Sequence, residues 1–356
     1  MKACSYCGRE NADESGNCRE CGTEFPAPQP TEPLPEEAEA AIEAPAPISD
    51  LSELDLGFEV VEGFSRPNWK AVNAFVKAQV PKLDLSATWD YIAIKWLEEV
   101  AGDLGGRARV RSSHSFYCLS DTDAKTTRPL LAYAEFVLAA IRDYLGAAAW
   151  SGYHGRHVLL IFSDPDDYYA YISYYYRDGT HVLSRGVFIR RGYAHIAMPY
   201  TNPSSARHVL VHELTHNLLC HLQIPVWLNE GLAVVIESRV TQRGLNLTGE
   251  LADRHRNHWN ETNIQAFWAG ATFDMPGDDS QLSYSLGEIL VTLLSEKGAA
   301  FTEFIKAADW RDGGQDAAVN FLEQGLEEFA GGFLGPGNWR PQRKAIKENL
   351  KVAGGQ

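Results

Sequence analysis

An α+β fold is predicted, preceded by a small cysteine-rich module on a tether, and three observations lead there. Strand-like segments gather in the first half of the globular region and helical segments in the second, which is the order expected of α+β rather than alternating α/β proteins. A Pro-rich acidic stretch separates the first 25 residues from the rest, and those 25 residues contain four of the six cysteines. The chain has 356 residues, 45% of them hydrophobic and 11% aromatic. That is more than one core usually needs, since single cores rarely grow beyond ~250 residues, and too apolar for a chain disordered throughout.

Residues 1–25 carry Cys4, Cys7, Cys18 and Cys21 in a Cys-x2-Cys-x10-Cys-x2-Cys pattern, with Gly8 and Gly22 directly after each pair. Two such knuckles place four thiolates around one structural zinc ion, and a segment of ~25 residues needs such a staple to fold. The pattern resembles the bacterial zinc-ribbon family, with a shorter central spacer than is usual there. Lys2, Arg9 and Arg19 are outnumbered by Glu10, Asp13, Glu14, Glu20 and Glu24, so a protein partner fits this module better than nucleic acid.

Residues 26–62 hold ten Asp or Glu and no Lys or Arg, which is two thirds of the formal net charge of −15. Proline recurs through the stretch and large apolar groups are few, so it reads as a disordered linker that cannot offset its own ordering entropy. The remaining chain is only mildly acidic and shows no general basic surface for nucleic acid. The N-terminus has no apolar signal-type core and no later run reaches the ~18 apolar residues of a spanning helix. A cytoplasmic protein with free Cys118 and Cys220 is the expectation.

From residue 63 to 350 a single larger domain is expected, with a helical and strand part over 63–150, a catalytic core over 151–300 and C-terminal helices over 301–350. Apolar residues at three-to-four spacing predict helices over 69–80 and 88–104, separated by Pro81. Residues 109–120 read as a strand. A long helix follows over 128–146, with Pro129 near its start and Gly146 at its end. HVLLIFSD, residues 157–164, is a short apolar strand closed by Asp164 and Pro165, and GVFIRRGYAHIAMP, residues 186–199, offers two strand-like pieces. Residues 204–222 form a strong helix, with Ser204 or Ser205 as its cap and Pro225 as its stop. WLNEGLAVVIESRV opens another, and SLGEILVTLLSEKG and FTEFIKAAD continue the helical half.

The chemistry-bearing motif lies in the helix over 204–222: His212-Glu213-Leu214-Thr215-His216. Residues four apart on a helix lie on one face, so both imidazoles can reach one zinc ion. Glu213 projects ~60° from His216 around the axis at ~3.6 residues per turn, where it can address water at the ion without binding the ion. A catalytic zinc needs a third protein ligand and one open position. Glu230, fourteen residues after His216 and beyond Pro225, is the candidate, and Gly231 and Ala233 are small enough for its helix to approach the first closely. The spacing of His221 and the Leu219 between do not match the HExxHxxGxxH pattern, so a third histidine ligand is disfavoured. His208 reads as a surface or outer-shell residue, Cys220 as a small buried residue, and His255 and His258 as exposed polar positions.

The segment Pro225-Val226-Trp227-Leu228-Asn229-Glu230-Gly231-Leu232-Ala233 after the His-Glu-x-x-His helix resembles the gluzincin metallopeptidases, in particular the peptidase MA-like proteins, over about residues 110–300. The resemblance implies a zincin-like architecture with a mixed sheet and active-site helices. It implies His212, His216 and Glu230 as zinc ligands, Glu213 as general base and GVFIRRGYAHIAMP along the sheet beside the cleft. There an edge strand could hold an extended peptide or protein substrate by strand addition. It also suggests a downstream Tyr or His as oxyanion donor, for which Tyr284 is the first choice. The reaction expected is zinc-dependent peptide hydrolysis, with one catalytic and one structural zinc per chain. The rival from another class is an interaction protein that keeps the fold without turnover and binds partners through ribbon and cleft. The intact Glu213 favours the enzyme.

Overall fold

The structure, a computed structural model, describes residues 2–3, 10–11, 46–176, 185–245 and 247–353. The chain divides into two compact units, residues 1–41 and 42–356. In the first, Lys2–Ala3 (β1) pairs antiparallel with Glu10–Asn11 (β2). Cys4, Cys7, Cys18 and Cys21, and the expected zinc site they form, lie outside the described residues.

The second unit is α+β around a five-stranded mixed sheet of order β5-β6-β7-β9-β8. Its strands are Arg109–Ser112 (β5), Phe116–Ser120 (β6), His157–Phe162 (β7), Val187–Ile189 (β8) and His195–Pro199 (β9). β6, β7 and β9 run parallel, and β5 and β8 close the two ends antiparallel. Alternation along the strands separates two cores. Phe116, Cys118, Leu159, Ile161, Ile196 and Met198 face one way, against Ala124–Leu145 (α3) and Pro203–Leu219 (α5). Tyr117, Leu119, Val158, Leu160, Phe162 and Ala197 face the other, against Leu85–Asp103 (α2) and Pro165–Ser173 (α4).

The helical half follows as Val226–Val240 (α6), Gly249–His258 (α7), Ile264–Trp268 (α8), Asp278–Ser295 (α9) and Ala299–Ala307 (α10). Gln315–Ala317 (α11), Leu326–Leu334 (α12) and Arg343–Ala353 (α13) complete it. These helices share the α3–α5 core: Trp227, Leu232, Phe267, Trp268, Leu286, Leu290 and Phe304 are fully buried there. Among the described residues, no helix is long and apolar enough to cross a membrane.

Three local expectations need correction. Residues 109–120 form a hairpin, not one strand. Ser113 N donates to Phe116 O at 2.9 Å, and the Glu135 carboxylate accepts from Ser113 Oγ and Ser115 N at 2.6 Å each, so the polar Ser113–Ser115 run is a turn pinned from α3. The cap of α5 is Asn202, whose side chain accepts from Ser205 N at 2.8 Å, with Pro203 as the first helical residue. That helix ends at Leu219, before Pro225, which instead caps α6.

The third correction concerns the linker, whose boundary at 62 is too late. Ile48 and Ser49 donate backbone N–H groups to Asp84 at 3.0 and 2.7 Å. Leu56 is buried against Val72, Val76 and Ile92, Val72 and Val76 lying on Trp69–Gln79 (α1). Glu59–Val61 (β3) pairs with Phe64–Arg66 (β4) through a turn in which Glu62 and Gly63 both take positive φ. The acidic residues of this stretch are exposed while Leu54 and Leu56 pack inward.

Candidate metal centre

Two helices carry the centre, and packing fixes both. α5 buries Val209, Leu210, Val211, Leu214, Thr215 and Leu218, which leaves His212, Glu213 and His216 partly exposed. α6 is anchored by Trp227, fully buried, whose Nε1 donates to Gly313 O at 3.0 Å and whose ring packs edge-on to Trp268 at 5.3 Å. With Trp227, Leu228, Gly231 and Leu232 directed into the core, Glu230 remains half-buried facing α5.

His212, His216 and Glu230 each offer a ligand atom, and these atoms all lie within 4.8 Å of one another. His212 Nε2 is 3.3 Å from Glu230 Oε2, and His216 Nε2 is 3.5 Å from Glu230 Oε1. The edge of a tetrahedron around zinc with nitrogen and oxygen ligands at ~2.1 Å is roughly 3.4 Å. The separations therefore suit three ligands sharing one small cation. The two imidazoles stand edge to face, ring centroids 4.7 Å apart.

Charge makes the same demand. Burial would lower the His212 pKa, but hydrogen bonds to Glu230 and Glu237, with the Glu213 charge behind them, push it up to about 10. His216 is raised against burial by the charge of Glu230 and a hydrogen bond to it. Glu230 is held far below the carboxylate range, burial notwithstanding, by the charge of His216 and the hydrogen bonds of both histidines. Carboxylates that draw protons onto imidazoles this strongly would equally favour a dication, whose binding displaces those protons.

Glu237 was not singled out by its motif position, and it belongs to the centre. Its Oε2 is 3.6 Å from His212 Nδ1 and its Oε1 is 3.1 Å from His208 Nδ1. Burial opposes its ionisation, but the hydrogen bonds of His208 and His212 bring its pKa down to about 2. The available signal was its place seven residues, or two turns, after Glu230 on one helix face. His208 thus touches the centre through Glu237, as an outer partner.

Gly231 has a role other than the one expected of it. A Cβ there would lie 2.7 Å from Gly287 O and 2.9 Å from Val291 Cγ2, so its close approach is to α9, not to α5. Gly287 faces Gly231 in return, and Tyr284 lies one turn earlier on α9. Tyr284 is half-buried, edge-on to Phe273 at 5.1 Å. Burial first, then the charges of Glu230, Asp274 and Glu213, raise its pKa well above the ordinary range. Its hydroxyl is therefore a neutral donor within electrostatic reach of the centre. Tyr176 was missed by sequence reasoning, and its pKa is likewise raised by burial and by Glu213; the surrounding run of tyrosines gave no periodic clue.

The remaining histidines and cysteines sit elsewhere. His255 is buried, not exposed: its Nδ1 accepts from Trp259 Nε1 at 3.1 Å and its Nε2 faces Ser285 Oγ at 3.0 Å. With Nδ1 accepting, Nε2 carries the proton, so this pair cannot activate Ser285 as a nucleophile. His258 is near Asp279, 3.2 Å away. Cys220 is half-buried and its Sγ donates to Ser151 O and Asn217 O at 3.1 and 3.0 Å, while Cys118 is fully buried; both are free thiols. No protein-family model matches the chain, and no curated protein matches it.

Proposed function

We propose that the second unit is a zincin-like, zinc-dependent metallopeptidase of the gluzincin type. The observation that carries this reading is the joint placement of His212, His216 and Glu230, with ligand atoms within 4.8 Å, beside a carboxylate, Glu213, that shares the helix of the two histidines without joining the three. A zinc ion there would supply Lewis acidity toward a scissile carbonyl and lower the pKa of water. His212, His216 and Glu230 would hold it, and Glu237 would keep the His212 ring turned with Nε2 toward the centre. Glu213 accepts a proton from the attacking water and delivers it to the leaving amine. Tyr284 donates its hydroxyl to the oxygen on which negative charge develops. The substrate would lie along β8, the last strand in the sheet order, whose outer edge is not paired by any described strand.

The N-terminal module is proposed, on its cysteine spacing alone, to be a zinc ribbon with a docking role. The test of the enzymatic reading is hydrolysis of casein or mixed peptides by the purified chain, with and without chelator, beside Glu213→Gln. Chelator-sensitive cleavage lost in Glu213→Gln supports it. Cleavage that survives in Glu213→Gln with zinc still bound rejects the assigned mechanism.

A further inference from the structure

The edge strand beside the metal centre is the basic part of an acidic protein. Residues 168–212 contain five arginines and a single acid, Asp178, in a chain of net charge −15. Three of those arginines bracket β8: Arg185 before it and Arg190 and Arg191 after it, all three exposed.

The strand's course relative to α5 can be traced from its ends. Gly186 lies against Val209 of α5, closely enough that a Cβ would collide with the valine. Arg190 is hydrogen-bonded to Tyr153, and its charge acts on Cys220 and His221, where α5 ends. Four residues of strand cover ~13 Å, and the eleven residues from Val209 to Cys220 cover ~16 Å of helix. β8 therefore runs beside the stretch of α5 that bears His212 and His216, with exposed arginines flanking both ends of the strand. Arg191 Nη1 also donates to Tyr175 O at 3.4 Å, and its charge reaches Tyr176, which feels Glu213 as well.

We infer that the cleft selects acidic peptide segments, whose carboxylate side chains pair with Arg185 on one side of the metal centre and with Arg190 and Arg191 on the other. This rests on the peptidase reading and on β8 as the peptide's resting edge. Exposed guanidinium forks bind carboxylates bidentately, and a local positive stripe on a negative surface concentrates an acidic chain at that stripe. A basic peptide would meet repulsion there, so selection works by exclusion as well as attraction.

Binding and hydrolysis are measured separately on the full-length chain. In a zinc-loaded Glu213→Gln background, fluorescence anisotropy compares a Glu-rich peptide with the same peptide carrying Lys at each Glu. The acidic peptide is expected to bind about tenfold more tightly at low ionic strength, with the gap narrowing in salt. Adding Arg190→Glu and Arg191→Glu should reverse the preference, and the milder Arg190→Gln with Arg191→Gln should abolish it; thermal unfolding checks that both remain folded. Equal binding of the two peptides, no binding of either, or a preference unmoved by both pairs of substitutions overturns the inference. Hydrolysis by the otherwise unsubstituted chain is scored alongside. An acidic preference without cleavage of either peptide leaves the binding inference standing and removes the peptidase reading. Cleavage of both peptides at equal rates with no binding preference does the opposite.

Discussion

The carboxylate of Glu237 lies between two imidazoles, 3.1 Å from His208 Nδ1 and 3.6 Å from His212 Nδ1, and so fixes which nitrogen of His212 faces Glu230. Replacing it with Gln keeps the shape and removes the charge that holds the ring. Zinc affinity of Glu237→Gln is therefore expected to fall by about tenfold to a hundredfold, read by competition with a fluorescent chelator, and unchanged affinity would remove Glu237 from the centre. Tyr284 differs in kind, since its proposed partner is a charge that would exist only during reaction. Tyr284→Phe should lower kcat by ~10²-fold with KM little changed and zinc content intact. A change in KM alone would make it a packing residue.

Between elements, the contact that aligns the centre is the crossing of α6 and α9 at Gly231 and Gly287. Alanine at an ordinary helical glycine gains up to ~1 kcal/mol of helix propensity. At Gly231 the new Cβ would sit 2.7 Å from Gly287 O, and prying the helices apart costs about 1–3 kcal/mol. Gly231→Ala should thus lower the thermal midpoint, whereas Gly→Ala at exposed Gly332, where a Cβ would meet nothing within 4 Å, should not. A Gly231→Ala protein at least as stable as wild type would contradict the crossing.

This contact also marks where the sequence stops being legible. The helices α1, α2, α3, α5, α6, α9 and α10 follow from long apolar-rich segments bounded by caps, Gly and Pro, and the strands β7, β8 and β9 from short apolar runs, β7 and β9 being buried on both faces. The pair His212 and His216 could be read because residues four apart share a helix face, whereas Glu230, on a second helix, is reached through the need for a third ligand and through the segment that carries the resemblance. The partner of Gly231 could not be, since a small residue shows that something comes close but not what. Glu237 was hidden for a similar reason: a carboxylate two turns along a helix looks like any solvated charge until His208 and His212 are seen opposite it. The 109–120 hairpin was read as one strand because its turn, Ser113–Ser115, has neither Gly nor Pro and is held from a distance by Glu135.

Across the whole second unit, the boundary of the fold lies before the hairpin of β3 and β4. Deleting residues 1–45 should leave the thermal midpoint of the second unit nearly unchanged, whereas deleting 1–62 exposes the Val72 and Val76 face that Leu56 covers. The longer deletion should lose about 1–3 kcal/mol, and equal midpoints for the two would return 46–62 to the tether. Acid sensitivity is a second property of the whole. Burial lowers His195 to about 3 and His255 to about 4, so both stay neutral when folded. Below about pH 6.5 the unfolded chain takes up protons that the folded chain refuses, and stability falls until the folded imidazoles titrate. Moving the chelated protein from pH 7 to pH 5 should cost roughly 2–4 kcal/mol, seen as a drop of several degrees in midpoint. An unchanged midpoint would mean that these histidines take up protons in the fold as readily as in the unfolded chain.

Three side chains sharing one ion define the proposed centre, and a zinc count tests that sharing most directly. Full-length protein and its His212→Ala, His216→Ala and Glu230→Ala variants are dialysed against buffered zinc and their bound metal measured by atomic emission. The expected result is that each variant holds one zinc ion fewer per chain than wild type while Glu213→Gln holds the same number. A Glu230→Ala protein that is folded and keeps the wild-type count would contradict the three-ligand centre.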